Sequence, residues 1–172
     1  MSRYERFDVA RIELRPIAER GDDLRVEGCL PLGPPERAYE DPEFSQLAER
    51  IVAARRAGRP VILMMGAHPV KLGLSRFLVD LIEWRTVTHL ATNGAGLIHD
   101  FELALVGGTS ENVARWIRLG QFGLWRETSR LNDIIRQTAE RDEGLGEAVA
   151  RWIRLGQFGL WRETSRVEGS KS

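Results

Sequence analysis

Two short apolar segments separated by a helical pattern dominate the hydrophobic profile of the chain. Val61–Met65 is an unbroken apolar run, which is typical of a strand buried on both faces in a parallel sheet covered by helices. Leu74–Trp84 carries apolar residues at three- and four-residue steps, which predicts an amphipathic helix. Val87–Thr92 has strand propensity. This order predicts a βαβ unit with a right-handed crossover and two parallel strands.

Further elements are predicted before this unit. Arg11–Leu32 contains two alternating stretches that predict a β-hairpin or two edge strands. A proline-rich linker follows. Asp41 and Pro42 then predict the N-cap and the first turn of a helix. We expect this helix to carry one apolar stripe and to end at Gly58.

The pattern after the unit is mainly helical. Ile98–Leu105 has helical spacing, and Gly107-Gly108 interrupts it. Thr109 or Ser110 can cap the next helix. Leu131–Arg141 predicts one more helix.

Together these elements predict an α/β protein. We expect a Rossmann-like parallel sheet flanked by helices, forming an incomplete domain with a helical C-terminal part. The predicted organisation is an N-terminal β-rich extension and linker at 1–35, the α/β core at 36–141, and a duplicated helical segment with a polar tail at 142–172.

A glycine-rich turn joins the second predicted strand to the helix after it. Its residues are Thr92, Asn93, Gly94, Ala95 and Gly96. Such a turn directs backbone N–H groups and the positive end of a helix into one concavity. This geometry suits a phosphate or another anion.

Residues with acid–base chemistry lie close to this turn. His99, Asp100 and Glu102 follow it, while Gly66 and His68 follow the first strand. Because parallel strands end at the same edge of a sheet, we expect both loops to line one crevice. Histidine titrates near neutral pH and can act as a general acid or base there.

Composition excludes several classes of function. With 25 basic and 25 acidic residues the formal net charge is zero, which argues against a nucleic-acid partner. No apolar run approaches the roughly 20 residues of a membrane helix, and the N-terminus does not read as a signal peptide. The single Cys29 is compatible with a reducing cytoplasm, which is the expected location. The spacing of the three histidines predicts no metal site.

The C-terminal part contains an internal duplication. The 18 residues Val113–Arg130 recur without a change at Val149–Arg166, 36 positions later. A helical repeat array needs at least three units to bury a continuous core, so we interpret the second copy as a recent duplication or an assembly artefact. We expect the first copy to have packing partners and the second to have none. An uncovered tryptophan-rich segment favours self-association.

Four segments carry a resemblance to a known family. They are V-I-L-M-M-G-A-H, L-S-R-F-L-V-D-L-I, V-T-H-L-A-T-N-G-A-G-L-I-H-D-F-E and A-L-V-G-G-T-S-E. They resemble the deoxyhypusine synthase-like family, most closely its bacterial members of uncertain activity, over about Pro42–Arg141. The resemblance implies NAD as cofactor and an NAD-dependent transfer of an aminobutyl group from a polyamine to a protein lysine.

The resemblance can be carried over position by position. The family has a Thr-Thr-Ala-Gly-Gly turn that helps to hold NAD, followed by a Glu-Glu-Asp segment that helps to hold NAD and the polyamine. Thr92, Gly96 and Asp100 keep the first threonine, the second glycine and the aspartate. Asn93 replaces the second threonine, and Gly94 and Ala95 exchange the order of the small residues. His99 stands where the family has a glutamate, which removes a charge that would pair with a protonated amine.

Two further positions bear on the expected activity. Glu102, one turn downstream, can partly replace the missing carboxylate. The family's catalytic lysine lies in a C-terminal half that has no counterpart in this chain. Lys71 is the only lysine before the polar tail, and its surroundings do not match the family's lysine motif.

Three hypotheses follow. The first is a truncated deoxyhypusine synthase-like protein that keeps part of an NAD crevice, forms homo-oligomers and is catalytically incomplete. The second is a small enzyme that uses His68, His99 and Asp100 for acid–base chemistry on another substrate. The third is a non-catalytic, tryptophan-rich self-association module.

Overall fold

The structure is a computed structural model that describes residues 3–6, 8–37 and 39–155. Within this part the protein is a mixed α/β molecule, as predicted, with seven α-helices and two two-stranded sheets. The strands are β1 (Asp22–Arg25), β2 (Ile62–Met64), β3 (His89–Ala91) and β4 (Gly108–Glu111). The helices are α1 (Pro42–Arg56), α2 (His68–Lys71), α3 (Ser75–Glu83), α4 (Gly94–Val106), α5 (Val113–Arg118), α6 (Arg130–Arg141) and α7 (Leu145–Leu155). Short 3₁₀ helices lie at Val9–Arg11, Ile17–Glu19 and Val26–Gly28.

The chain forms two compact units. The first contains the described residues of 1–23 and 110–172, and the second is 24–109.

The second unit contains the βαβ arrangement. Strands β2 and β3 pair in parallel, with Ile62 opposite His89 and Met64 opposite Ala91, and α2 and α3 connect them. This confirms the predicted parallel pair. The start of α1 also agrees with the prediction, because the Asp41 carboxylate accepts a hydrogen bond from the backbone N–H of Glu43 at 2.9 Å.

The expectation that the first strand is buried on both faces is wrong. In β2 the side chain of Ile62 is 60% exposed and that of Met64 is 79% exposed, and α1 buries none of its residues. A run of apolar residues records a preference for burial but does not supply the elements that cover it. Among the described residues the sheet consists of β2 and β3, and the side chains of Ile62 and Met64 lie open to solvent.

The predicted N-terminal hairpin is also wrong. Of Arg11–Leu32, only Asp22–Arg25 forms a strand, and its partner is β4 rather than a neighbouring segment. The chain then turns into a 3₁₀ helix at Val26–Gly28. Local alternation cannot identify a partner strand that lies so far along the chain.

The prediction that Thr109 or Ser110 caps the next helix is wrong as well. Both residues lie in β4, and Asn112 caps α5 by accepting a hydrogen bond from the backbone N–H of Arg115 at 2.9 Å. Asparagine competes well for a cap because its side-chain oxygen reaches the N–H groups of the first turn.

Two tryptophans form the core of the first unit. The rings of Trp116 and Trp125 pack edge to face with centroids 4.9 Å apart, and both side chains are buried. The indole N–H of Trp116 donates to the backbone oxygen of Arg20, and that of Trp125 donates to the Glu111 carboxylate at 2.9 Å. Each buried indole therefore has a hydrogen-bond partner, as stability requires.

The second copy of the duplicated segment packs as well, where it is described. Helix α7 lies against α6 and buries Ala148, Val149 and Ile153. The expectation that this copy lacks packing partners is therefore wrong for Val149 and Ile153. Trp152 is partly buried, and Phe158 and Trp161 of this copy lie outside the described residues.

Candidate functional site

The glycine-rich turn forms the start of α4. The side chain of Asn93 accepts a hydrogen bond from the backbone N–H of Gly96 at 3.0 Å and so caps the helix. A β-carbon added to Gly96 would lie 2.2 Å from the Thr92 hydroxyl oxygen, whereas one added to Gly94 would meet open space. Thr92 thus closes over the turn, and only glycine at position 96 leaves room for it.

The loop after β2 lies beside this turn. A β-carbon added to Gly66 would lie 3.9 Å from the Asn93 side-chain nitrogen. Helix α2, which begins at His68, packs against α4. The structure therefore brings the two loops together at the carboxyl edge of the parallel strand pair, where open α/β sheets bind ligands.

A hydrogen-bonded chain of three side chains links α4 to β4. The Thr109 hydroxyl donates to the Glu102 carboxylate at 2.6 Å, and the Nδ1 atom of His99 lies 2.8 Å from the same hydroxyl oxygen. Because the hydroxyl proton is directed at Glu102, its oxygen accepts from Nδ1–H of His99. Thr109 and Glu102 therefore orient the imidazole of His99 and favour the form with a proton on Nδ1.

Burial limits what the three hydrogen-bonded side chains, His99, Glu102 and Thr109, can contact. Glu102 is buried and Thr109 is fully buried, so the Glu102 carboxylate is directed into the protein rather than towards a solvent-borne amine. His99 is half-buried. Thr109 is the residue that sequence reasoning missed, because its position suggested a helix cap and its partners lie on another element.

Asp100 and His68 have a different environment. Both side chains are exposed, and in the described part of the chain neither makes a hydrogen bond or ion pair. The protein atoms around Asp100 still displace part of its hydration, and this desolvation raises the pKa of its carboxyl above the ordinary value of 3.8. The structure does not join His68 to His99 or Asp100 by a direct bond.

Asp100→Asn is expected to raise the free energy of unfolding at neutral pH. The raised pKa means that the folded protein holds the proton more tightly than the unfolded chain, so stability falls as pH rises from about 3.8 through the folded pKa. The asparagine does not titrate, and its advantage at about pH 7 should vanish near about pH 3. Thermal unfolding at both pH values measures this. An equal change at the two values would contradict it.

The described residues do not form a metal site or a membrane-spanning helix. No group of three or more His, Cys, Asp or Glu side chains among them could hold a metal ion. Across the same residues, no helix combines the length and the apolar composition needed to cross a membrane. A comparison of the chain with protein-family models, curated proteins and solved structures finds no match.

The arrangement can bind an anion next to a polar group. The first N–H groups of a helix have no acceptor within the helix, and here they belong to small, exposed residues, Gly94 and Ala95. Asp100 lies one turn beyond Gly96 on the same side of α4. A ligand that carries both a phosphate and a hydroxyl group matches this pair of features.

Proposed function

We propose that this protein binds NAD at the carboxyl edge of β2 and β3, as a relative of the deoxyhypusine synthase-like proteins. The observation that carries the proposal is the adjacency of the Gly66 loop to the Thr92–Gly96 turn at the start of α4. A parallel strand pair with small residues in both loops lets a dinucleotide approach the backbone closely. The match of Thr92, Gly96 and Asp100 to the family's motif points to the same ligand.

Each part of the site has a role in this proposal. The N–H groups of Gly94 and Ala95 face the pyrophosphate, where the positive helix end attracts negative charge. The exposed Asp100 accepts a hydrogen bond from a ribose hydroxyl. A carboxylate placed directly against a phosphate would repel it, so Asp100 suits the ribose better.

The proposed role is binding without the family's full reaction. The family's aminobutyl transfer needs a nucleophilic lysine, and Lys71 has no surroundings that match the lysine motif. The inward direction of Glu102 also leaves fewer carboxylates for a protonated polyamine. The proposal is therefore limited to NAD binding and does not include aminobutyl transfer by Lys71.

The His99 chain favours a second candidate, acid–base chemistry on another substrate. An imidazole oriented by Thr109 and Glu102 resembles the oriented bases of many enzymes. This reading needs no NAD. It predicts a reaction that depends on His99, which the NAD proposal does not require.

Isothermal titration of the purified chain with NAD separates these candidates. We expect saturable heat, with ADP-ribose also binding and nicotinamide alone not binding, because the protein contacts are proposed for pyrophosphate and ribose. Gly66→Leu should weaken binding by at least about tenfold, or 1.4 kcal/mol, since its side chain enters the crevice beside Asn93.

Gly33→Leu is the matched control. Gly33 lies in the linker with open space around its α-carbon, so the same added volume should leave NAD binding unchanged. The absence of saturable heat at about 1 mM NAD would exclude the proposal. An equal loss of affinity in both variants would place the effect outside the crevice.

A further inference from the structure

One sequence packs in two different ways in this protein. The sequence V-A-R-W-I-R forms α5 and occurs again in α7. In α5 it buries Trp116 and leaves Val113 and Ile117 43% and 59% exposed. In α7 the equivalent residues Val149 and Ile153 are only 4% and 9% exposed. The same side chains are therefore covered in one copy and uncovered in the other.

Helical geometry explains how both arrangements are possible. At 3.6 residues per turn, Val113 and Ile117 lie on one side of the helix, about 80° from Trp116. Helix α5 is anchored by Trp116 and can still present the other two side chains to solvent. We call the Val113 and Ile117 side of α5 the open face.

The structure contains a surface that fits the open face. Helix α6 packs against α7, which carries the identical apolar pair. Charge complementarity lies next to this contact, because the Arg151 guanidinium donates at 3.0 Å to the carboxylate of Glu143, in the connection between α6 and α7. Arg115 occupies the position in α5 that Arg151 occupies in α7, and it lies exposed over the Trp116 ring.

We propose that the open face of α5 binds α6 of a second copy of this chain, and that α7 blocks this pairing by occupying α6 within its own chain. Two copies would pair reciprocally, with the α5 of each on the α6 of the other. Val113, Ile117 and Arg115 take the positions of Val149, Ile153 and Arg151. This inference does not depend on NAD binding.

The effective concentration of α7 explains why α6 binds α7 of its own chain rather than α5 of a second chain. Helix α7 follows α6 after only three residues, 142–144, and a short connection holds a segment at an effective concentration of the order of millimolar. A second chain at micromolar concentration presents the same contact and cannot compete. If α7 is docked more than about nine-tenths of the time, releasing it raises the apparent association constant by roughly tenfold or more.

The first test releases α7 in the full chain. Val149→Asp with Ile153→Asp should raise the dimer association constant, measured by sedimentation equilibrium, by at least about tenfold. Adding Ile117→Asp should reverse the increase. Leu119→Asp is the matched control, because Leu119 is the exposed C-cap residue directly after α5 and lies away from the open face. A folded variant that associates no more than the parent, or an increase that survives Ile117→Asp, would overturn the proposal.

A charge exchange gives a second test that leaves the apolar contact intact. In Glu143→Arg with Arg115→Glu, residue 143 repels Arg151 of its own α7 and attracts residue 115 of a second chain, so association should increase. In the control, Glu143→Arg with Arg151→Glu, the pairing within the chain is restored and association should stay at the parent level. Equal association of the two variants would contradict the proposal even if the aspartate variants failed to fold.

Discussion

Replacing Trp125 by alanine is expected to lower the free energy of unfolding by about 3–5 kcal/mol. The side chain is fully buried, packs edge to face on Trp116 and donates a hydrogen bond to Glu111. The alanine variant would leave a cavity beside Trp116 and remove one of the hydrogen bonds that the Glu111 carboxylate accepts. Because small proteins are stable by only about 5–15 kcal/mol, this single change should remove a large part of the free energy of unfolding.

Trp84→Ala is the matched control for this prediction. Trp84 is largely exposed at the end of α3, and its indole N–H donates to Asp80 on the protein surface. Its removal should cost less than about 1 kcal/mol. Chemical denaturation of both variants by urea measures the difference. Similar costs for the two tryptophans would contradict the core assigned to the first unit.

Gly96→Ala is expected to destabilise the protein by up to about 2 kcal/mol. Alanine ordinarily favours a helix over glycine by about 1 kcal/mol. Here the added β-carbon would lie 2.2 Å from the Thr92 hydroxyl oxygen, and overpacking of this kind costs about 1–3 kcal/mol. The steric cost should therefore exceed the gain in helix propensity. The displaced turn should also bind NAD more weakly.

Two further variants isolate this contact. Gly94→Ala adds the same methyl group in the same helical turn but meets open space, so it should cost nothing. Thr92→Ala combined with Gly96→Ala should recover most of the lost stability, with a coupling energy of about 0.5–3 kcal/mol. If Gly94→Ala and Gly96→Ala had equal effects, the close approach of Thr92 to Gly96 would not control the turn.

The sequence predicts features that depend on neighbouring residues or on the order of the elements along the chain. Asp41 has a side chain that reaches an N–H group of the following turn, and α1 begins where the sequence predicts. Helix α4 begins at Gly94, four residues before the predicted helical spacing at Ile98, because Asn93 caps it. The parallel pairing of β2 and β3 followed from the order strand, helix, strand. These features depend on neighbours a few residues away or on chain connectivity.

The features that the sequence did not predict depend on distant partners. Ile62 and Met64 are apolar in a run that favours burial, yet no local signal states how many strands or helices will cover them. The partner of β1 lies far along the chain. Val149 and Ile153 are buried in α7, which packs against α6, whereas the identical residues of α5 are exposed. Composition is the same in both copies, so only tertiary context distinguishes them.

In the candidate site, too, the residues identified from the sequence have local signals, and the one that was missed depends on a distant partner. Thr92, Asn93 and Gly96 could be identified because a glycine-rich turn between a strand and a helix has one characteristic geometry. Thr109 could not be, since its hydrogen bonds to His99 and Glu102 require α4 and β4 to be placed side by side.

The most direct measurement of the proposed function is an amide proton–nitrogen NMR spectrum of the labelled chain during an NAD titration. We predict saturable shifts confined to Gly66, to Asn93–Gly96 and to the neighbourhood of Asp100, with the spectrum of the first unit unchanged. Saturable shifts at other residues only, or an unchanged spectrum at millimolar NAD, would contradict a dinucleotide site at the carboxyl edge of β2 and β3.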